Sequence, residues 1–305
     1  MKKILFLNHP FKECGVYQIG LRIFNIASKS DKVEYFYKDV GSWDEYNQAV
    51  KDIEPDFIIY NWHWDRMPFL RNEDITGRPN IKHYFVYHDG SMMKVYDKYL
   101  VFGAMPPSNV VFPEGKVALL PRPLYEYNGD YPTNVVPTIG SFGFAFNHKK
   151  FHMIAPFVGS QFDKAIVNLH FTNPYFGDTP GNRIYDIINL CYKECPPNVT
   201  LNITTNFMDD YNVMSFLAGN DINLFMYDVG MQNPGISSAI DYALSVKRPI
   251  AISNNMMFRH IMSYDILVEY SSLTEILARG TTPLDRFYKE WSTESFKASM
   301  ENLFI

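Results

Sequence analysis

The sequence predicts an α/β protein built from two parallel-sheet domains, and three observations predict it: the amount of apolar residue, the alternation of two periodicities, and a break midway along the chain. Hydrophobic residues make up 47% of 305, more than one ordinary α/β core takes up and enough for two domains of about 150 residues. Short apolar runs rich in β-branched and aromatic residues alternate with stretches of helical period, the pattern of parallel strands joined by crossover helices. Between residues 125 and 137, in EYNGDYPTNVVP, the periodicity stops around Gly129 and Pro132.

The elements follow in order. In the first half, strands are expected at 3–7, 33–37, 56–61, 83–87, 98–102 and 116–120. The segment after Tyr17 puts Ile19, Ile23, Ile26 and Ala27 on one stripe, and the segment from Trp43 does the same with Tyr46, Val50 and Ile53, so both read as helices covering a sheet face. The domain boundaries expected are 1–128, a linker at 129–137, 138–282, and a helical tail at 283–305 carrying Leu284, Phe287, Trp291, Phe296, Met300 and Leu303. Strands of the second domain are expected at 138–143, 164–169, 199–204, 222–227, 249–253 and 266–270. Ile184, Ile187, Ile188, Cys191 and Cys195 share a helical face, and Asp209-Asp210 reads as a helix start.

Composition excludes several function classes. A net charge of -5 and a pI near 5.9 lack the basic excess that neutralises phosphates, so neither nucleic acid nor an anionic membrane surface is an expected partner. Three cysteines, Cys14, Cys191 and Cys195, fit neither a secreted disulfide framework nor a paired zinc site, and a C-x3-C pair on a helix without a nearby third ligand is read as core. The opening MKKILFLNHP has an apolar run of about five residues, which reads as a buried strand and not as the core of a signal peptide. No stretch reaches the ~18 uninterrupted apolar residues of a membrane span. A cytoplasmic location is the expectation, with the sequons at Asn198 and Asn202 left unmodified.

The stretch richest in chemistry runs from Asn223 to Ile261, NLFMYDVGMQNPGISSAIDYALSVKRPIAISNNMMFRHI. A strand ends near Tyr227, a loop bearing Gly235 follows, and a helix starts around Ser237-Ser238 with Asp241 on its first turns. Free backbone N–H groups and the positive end of the helix dipole suit a diphosphate there, Gly235 permits close approach, and Asp241 can accept from ribose hydroxyls. The plainer reading makes Ser237-Ser238 an N-cap and Asp241 a dipole partner. Both stand at this point.

The same stretch resembles the donor-binding signature of the retaining GT-B glycosyltransferases of the glycogen-synthase-like and mannosyltransferase-like group (glycosyl transferases group 1). That signature is an acidic residue, seven residues with an early glycine, a second acidic residue, an alanine-rich helix, and then G-x-P-V-V-A-S. The matching positions here are Asn233, PGISSAI, Asp241 and YALSVKRPIAIS, so one family glutamate is an amide and the other is shortened. Residues 138–158, TIGSFGFAFNHKKFHMIAPFV, resemble the element that opens the family's C-terminal domain, with Gly143 in the strand and Lys149 at the lysine that neutralises the donor diphosphate. Phe144 stands where an arginine is frequent, and Lys150 stands where the family has glycine. A solvated helix start is the other reading of Lys149-Lys150.

The N-terminal half is similar more loosely. HPFKECGVYQIGLRIFNIA places Gly15 and Gly20 around a strand-to-helix turn, as the family's glycine loop does, while the dinucleotide fingerprint G-x-G-x-x-G is absent. DFIIYNWHWD and YFVYHDGSMM resemble the family's paired strand ends, putting His63 and His88-Asp89 where α/β folds hold ligands. KYLVFGAMPP and KVALLPRPLYEY resemble the segments that follow, with Arg122 in the second. His88 is read as a polar wall of the reaction centre oriented by Asp89, or as a satisfied histidine at a strand end; His9 and His63 are read nearer the latter, and Arg259-His260, on the helix expected after Ser253, faces either the cleft or solvent.

The resemblance implies two Rossmann-like domains facing each other across a cleft, the GT-B fold, with a nucleoside diphosphate sugar as co-substrate and no other cofactor. It implies a hexosyltransferase-like enzyme with an acceptor that is a glycan, a lipid or a small molecule, the N-terminal half being the acceptor side. The implied catalytic residues are His88, Asp89 and Asn233; the implied donor-binding residues are Gly15, Gly143, Lys149, Gly235, Ile236, Ser237, Ser238 and Asp241. No Asp-x-Asp occurs in the sequence, so a metal-independent mechanism without metal ligands is expected. Asn233 and Phe144 motivate a second function, a nucleotide-sugar-binding protein that no longer transfers, and a GT-B-like epimerase acting on the donor is a third.

Overall fold

Residues Ile4 to Leu7 are fully buried, because the first strand, β1 (Lys2–Asn8), runs through the middle of a sheet with helices on both faces. A computed structural model describes residues 1–71, 75, 77–88, 96–172, 182–228 and 235–305. After β1 come α1 (Gly15–Ala27), β2 (Val33–Asp39), α2 (Trp43–Ile53), β3 (Phe57–Tyr60), β4 (Lys82–Val86), β5 (Lys98–Phe102) and β6 (Val117–Leu120). All six strands are parallel, in the order β2-β1-β3-β4-β5-β6. The alternation of a strand sorts its side chains by face: Ile4 and Phe6 pack with Ile19, Ile23 and Ile26 of α1, while Leu5 and Leu7 pack with Tyr46, Val50 and Ile53 of α2. The direction of winding reverses between β1 and β3, so the carboxyl ends of those strands frame a topological switch point.

The second unit begins at Leu124, not after 128, because Tyr125 is already tied into it. Its backbone N–H donates to Ser245 Oγ at 2.9 Å, and its hydroxyl donates to the Asp210 carboxylate. The segment expected as a linker, 129–137, also lies within this unit. Its elements are β7 (Thr138–Phe144), a 3-10 turn (Asn147–Lys149), α3 (Phe151–Gly159), β8 (Ala165–Thr172), α4 (Asn182–Glu194), β9 (Val199–Thr204), α5 (Asp210–Ala218), β10 (Ile222–Phe225), α6 (Ala239–Ser245), β11 (Ile250–Ile252), a 3-10 turn (Met256–Phe258), α7 (Leu273–Arg279), a 3-10 turn (Thr282–Leu284) and α8 (Asp285–Glu290). The five parallel strands lie in the order β11-β10-β7-β8-β9, with the switch point between β7 and β10.

One expected strand is not formed. Residues 266–270 make a single parallel bridge, Ile252 to Leu267, in which Ile252 N–H donates to Ile266 O and Val268 N–H to Ile252 O. Turn bonds from Ile266 to Ser263 and from Tyr270 to Leu267 close the backbone on either side, and this stops the ladder after one residue. Cys191 is buried in the core under α4, as its helical stripe predicts.

The tail from Lys289, with α9 (Thr293–Glu301), groups with the first unit, as do residues 235–238. Phe296 stacks on Phe102, and Phe304 packs on Tyr35, Phe57 and Tyr84. The Glu301 carboxylate accepts from Ser30 Oγ at 2.7 Å and faces Lys32 Nζ at 2.8 Å, which fixes the end of α9 against the turn after α1.

Candidate functional site

In the first unit the switch point is built from two asparagines. Asn8 Nδ2 donates to Tyr17 O at 3.0 Å and to Tyr37 Oη at 3.1 Å, and its Oδ1 accepts from His9 N–H and from Asn61 Nδ2. Asn61 Nδ2 also donates to Val16 O at 2.7 Å. Main-chain carbonyls only accept and main-chain N–H groups only donate, so both amides have one possible orientation. Asn61 Oδ1 therefore faces His88 Nε2 at 2.8 Å as an acceptor, and Nε2 must carry the imidazole proton. The lone pair is left on Nδ1.

His88 is half-buried at the carboxyl end of β4, and its pKa is lowered to about 3 by burial first, then by Arg122, His63 and His9. His9 is fully buried and is lowered to about 4 by burial, then by His63 and Arg66. Both rings are neutral at physiological pH. Nearby, the loop after β3 exposes Trp64, stacked on His63 at 6.0 Å, and Arg66 lies over the exposed Phe11 ring at 4.7 Å. Gly15 is the first residue of α1. Asp89 lies outside the described residues.

In the second unit Lys149 stands at the switch point between β7 and β10. It is 8% exposed, and its ammonium lies over the rings of Phe144 at 5.9 Å and Tyr227 at 5.3 Å. Among the described residues no carboxylate is within ion-pair distance of it. Gly143, with φ of 152°, makes room for this ammonium: a Cβ there would collide with Lys149 Nζ. The two strand-end loops are joined by Asp228 N–H donating to His148 O at 2.7 Å and by the Lys150–Asp228 ion pair at 3.3 Å. His148 is lowered to about 4 by burial and by Lys149, against the opposing field of Asp228. Lys150 has φ of 47°, a left-handed conformation that glycine adopts without penalty.

The other expected donor residues divide. Asp241 is on the first turn of α6 and is fully buried, as are all seven residues of that helix; Tyr242 Oη donates to Asp210, fixing α6 to α5. Gly235, Ile236, Ser237 and Ser238 group with the first unit while α6 belongs to the second; Gly235 and Ser237 are buried, Ile236 and Ser238 half-buried. Asn233 lies outside the described residues. Lys149 and Gly143 are thus brought into contact. Residues that sequence reasoning passed over are Asn61 and Tyr227 as site-forming groups. The readable signal for Asn8 and Asn61 is an amide directly after a buried apolar run, in KKILFLN and FIIYN.

No protein-family model matches the chain, and no curated protein matches it in sequence. Its fold is that of the GT-B glycosyltransferases, two parallel-sheet α/β domains. Similar solved structures include Anabaena HepE in complex with UDP and glucose, 11% identical with a TM-score of 0.68 over 99% of each chain. AviGT4, a glycosyltransferase of avilamycin A biosynthesis, is 10% identical with a TM-score of 0.64 over 99% of this chain and 96% of that one. The UDP-forming α,α-trehalose-phosphate synthase of Burkholderia xenovorans is 8% identical with a TM-score of 0.59 over 99% of each chain. Among the described residues no helix is long and apolar enough to cross a membrane.

Proposed function

We propose that the chain is a glycosyltransferase that moves a sugar from a nucleoside diphosphate sugar to an acceptor hydroxyl, with the donor diphosphate against Lys149. The observation that carries this reading is a lysine 8% exposed, at the switch point of a parallel sheet, with aromatic rings around its ammonium and, among the described residues, no carboxylate within ion-pair distance. A cation withdrawn from water is costly unless an anion accompanies it, and carboxyl-end crevices are where such sheets bind ligands. The UDP and UDP-glucose held by HepE make uridine the first base to try.

In the reaction the bond from the anomeric carbon to the diphosphate oxygen breaks, and a new bond forms from that carbon to the acceptor oxygen, whose proton is released. Lys149 meets the charge that grows on the departing diphosphate, so a divalent metal is not required. His88 is too weakly basic, near 3, to carry a proton efficiently at neutral pH; its Nδ1 lone pair instead accepts a hydrogen bond from a sugar hydroxyl. Asp241 is assigned to the ribose, and retention at the anomeric carbon follows the resemblance.

Incubation with UDP-glucose and a panel of saccharide and lipid acceptors tests the proposal through UDP release. Turnover is expected to survive EDTA, and Lys149→Met is expected to lower kcat/KM by about 100-fold. Donor bound but never consumed, by any acceptor, would favour the non-transferring reading that Phe144 motivates; no binding of any nucleoside diphosphate sugar would reject both. Isomerised donor in the absence of acceptor would identify an epimerase.

A further inference from the structure

The second unit holds a cavity of about 570 Å³ away from Lys149, between the loop after β11 and the start of α8. Its lining includes Asn254, Met262, Tyr264, Leu267, Tyr270 and Arg286. The volume is in the range of small-molecule sites. Tyr264 and Tyr270 are 72% and 61% exposed and meet edge to face at 4.9 Å, with Met262 and Leu267 in the same lining. The backbone holds them there: Ser271 Oγ donates to Tyr264 O at 3.1 Å, and the Ile252–Leu267 bridge pins the segment to β11.

The charged residue of the lining is a cation, Arg286. Among the described residues no carboxylate is within ion-pair distance of its guanidinium. Two neighbouring carboxylates have partners other than Arg286: Asp265 faces Arg279 at 3.9 Å, and Glu269 accepts from Asn254 N–H at 2.9 Å; the lining also offers the polar side chain of Asn254. Tyrosine rings match the C–H faces of a pyranose, an amide matches its hydroxyls, and a guanidinium forks onto a carboxylate. Two rings at 88° do not form the parallel slot that a flat base would occupy.

We propose that this cavity is a binding site for an anionic saccharide, with Tyr264 and Tyr270 as the stacking surface and Arg286 as the partner of the acid group. The loop that carries it is tied to the loops framing Lys149, since Ser253 Oγ donates to Tyr227 O at 2.8 Å and Asn255 Nδ2 to Asp228 O at 2.6 Å. On the glycosyl-transfer reading, on which only its use depends, the site holds an acidic residue of the saccharide acceptor apart from the reacting one.

The test is calorimetric titration of the full chain with a glucuronosyl-glucose disaccharide and with its neutral counterpart, cellobiose. Wild-type protein is expected to bind the acid about tenfold more tightly than the neutral sugar. Arg286→Ala is expected to abolish that preference, and Tyr264→Ala to weaken both, with thermal melting unchanged because these side chains are exposed. Lys149→Met is expected to lose UDP binding and keep the saccharide, so a chain that binds the acidic sugar but never UDP retains this site and loses the transfer reading. Equal affinity for acid and neutral sugar in wild type, no binding of either at millimolar concentration, or displacement of the saccharide by UMP would overturn the proposal.

Discussion

Gly143 and Lys149 act as one device: the missing Cβ at Gly143 is the space in which the ammonium sits, and the φ of 152° is one that other residues reach only with strain. Gly143→Ala is expected to displace the ammonium, to cost about 1–3 kcal/mol in stability, and to weaken UDP binding about as much as loss of the lysine does. Calorimetry beside a denaturant melt separates the two effects, and unaltered nucleotide affinity would show that the ammonium is not where the ligand docks. The lysine was readable from the sequence through its resemblance. Tyr227 as its neighbour was not, because its approach is set by the pairing of β7 with β10, strands far apart in the chain. His88 was read with an acidic orienting neighbour; the orientation described comes from Asn61, which only the adjacency of β3 and β4 brings near.

At the scale of elements, both units use a glycine to admit a buried asparagine that joins strand to helix. A Cβ on Gly20 of α1 would strike Asn61, and one on Gly140 of β7 would strike Asn220. Asn220 is fully buried, donates to Phe216 O at 2.9 Å and accepts from Asn168 Nδ2 at 3.0 Å, so it cannot yield without leaving polar atoms unpaired. Gly140→Ala is accordingly expected to destabilise the second unit by about 2–4 kcal/mol, read as a lowered urea midpoint; an unchanged midpoint would mean the amide moves freely. Strands of the parallel sheets were legible because burial on both faces leaves uninterrupted apolar runs such as ILFL and FIIY. ILVEY at 266–270 opens on a similar apolar run, yet turn bonds at each end reduce it to one bridge, and that local geometry leaves no mark on hydrophobic pattern.

For the whole molecule, acid should act on both units together. His9 and His88 in the first unit and His148 and His170 in the second are held near 4, 3, 4 and 4, chiefly by burial. An unfolded histidine takes its proton near 6.5, so between about pH 6.5 and 4 the unfolded chain binds more protons and stability falls as pH is lowered. Each group contributes at most about 1.4 kcal/mol per pH unit in that window. Urea midpoints are expected to drop steadily from pH 7 to 5, and a flat profile would mean these rings titrate normally. The two-unit organisation was visible in length and periodicity, but its boundary was not: Tyr125 joins the second unit through Ser245 and Asp210, partners more than eighty positions away.

A crystal grown with UDP tests the central claim most directly. The account predicts diphosphate oxygens within about 4 Å of Lys149 Nζ, at the carboxyl ends of β7 and β10. Nucleotide bound elsewhere, with the ammonium still lying over Phe144 and Tyr227, would contradict it.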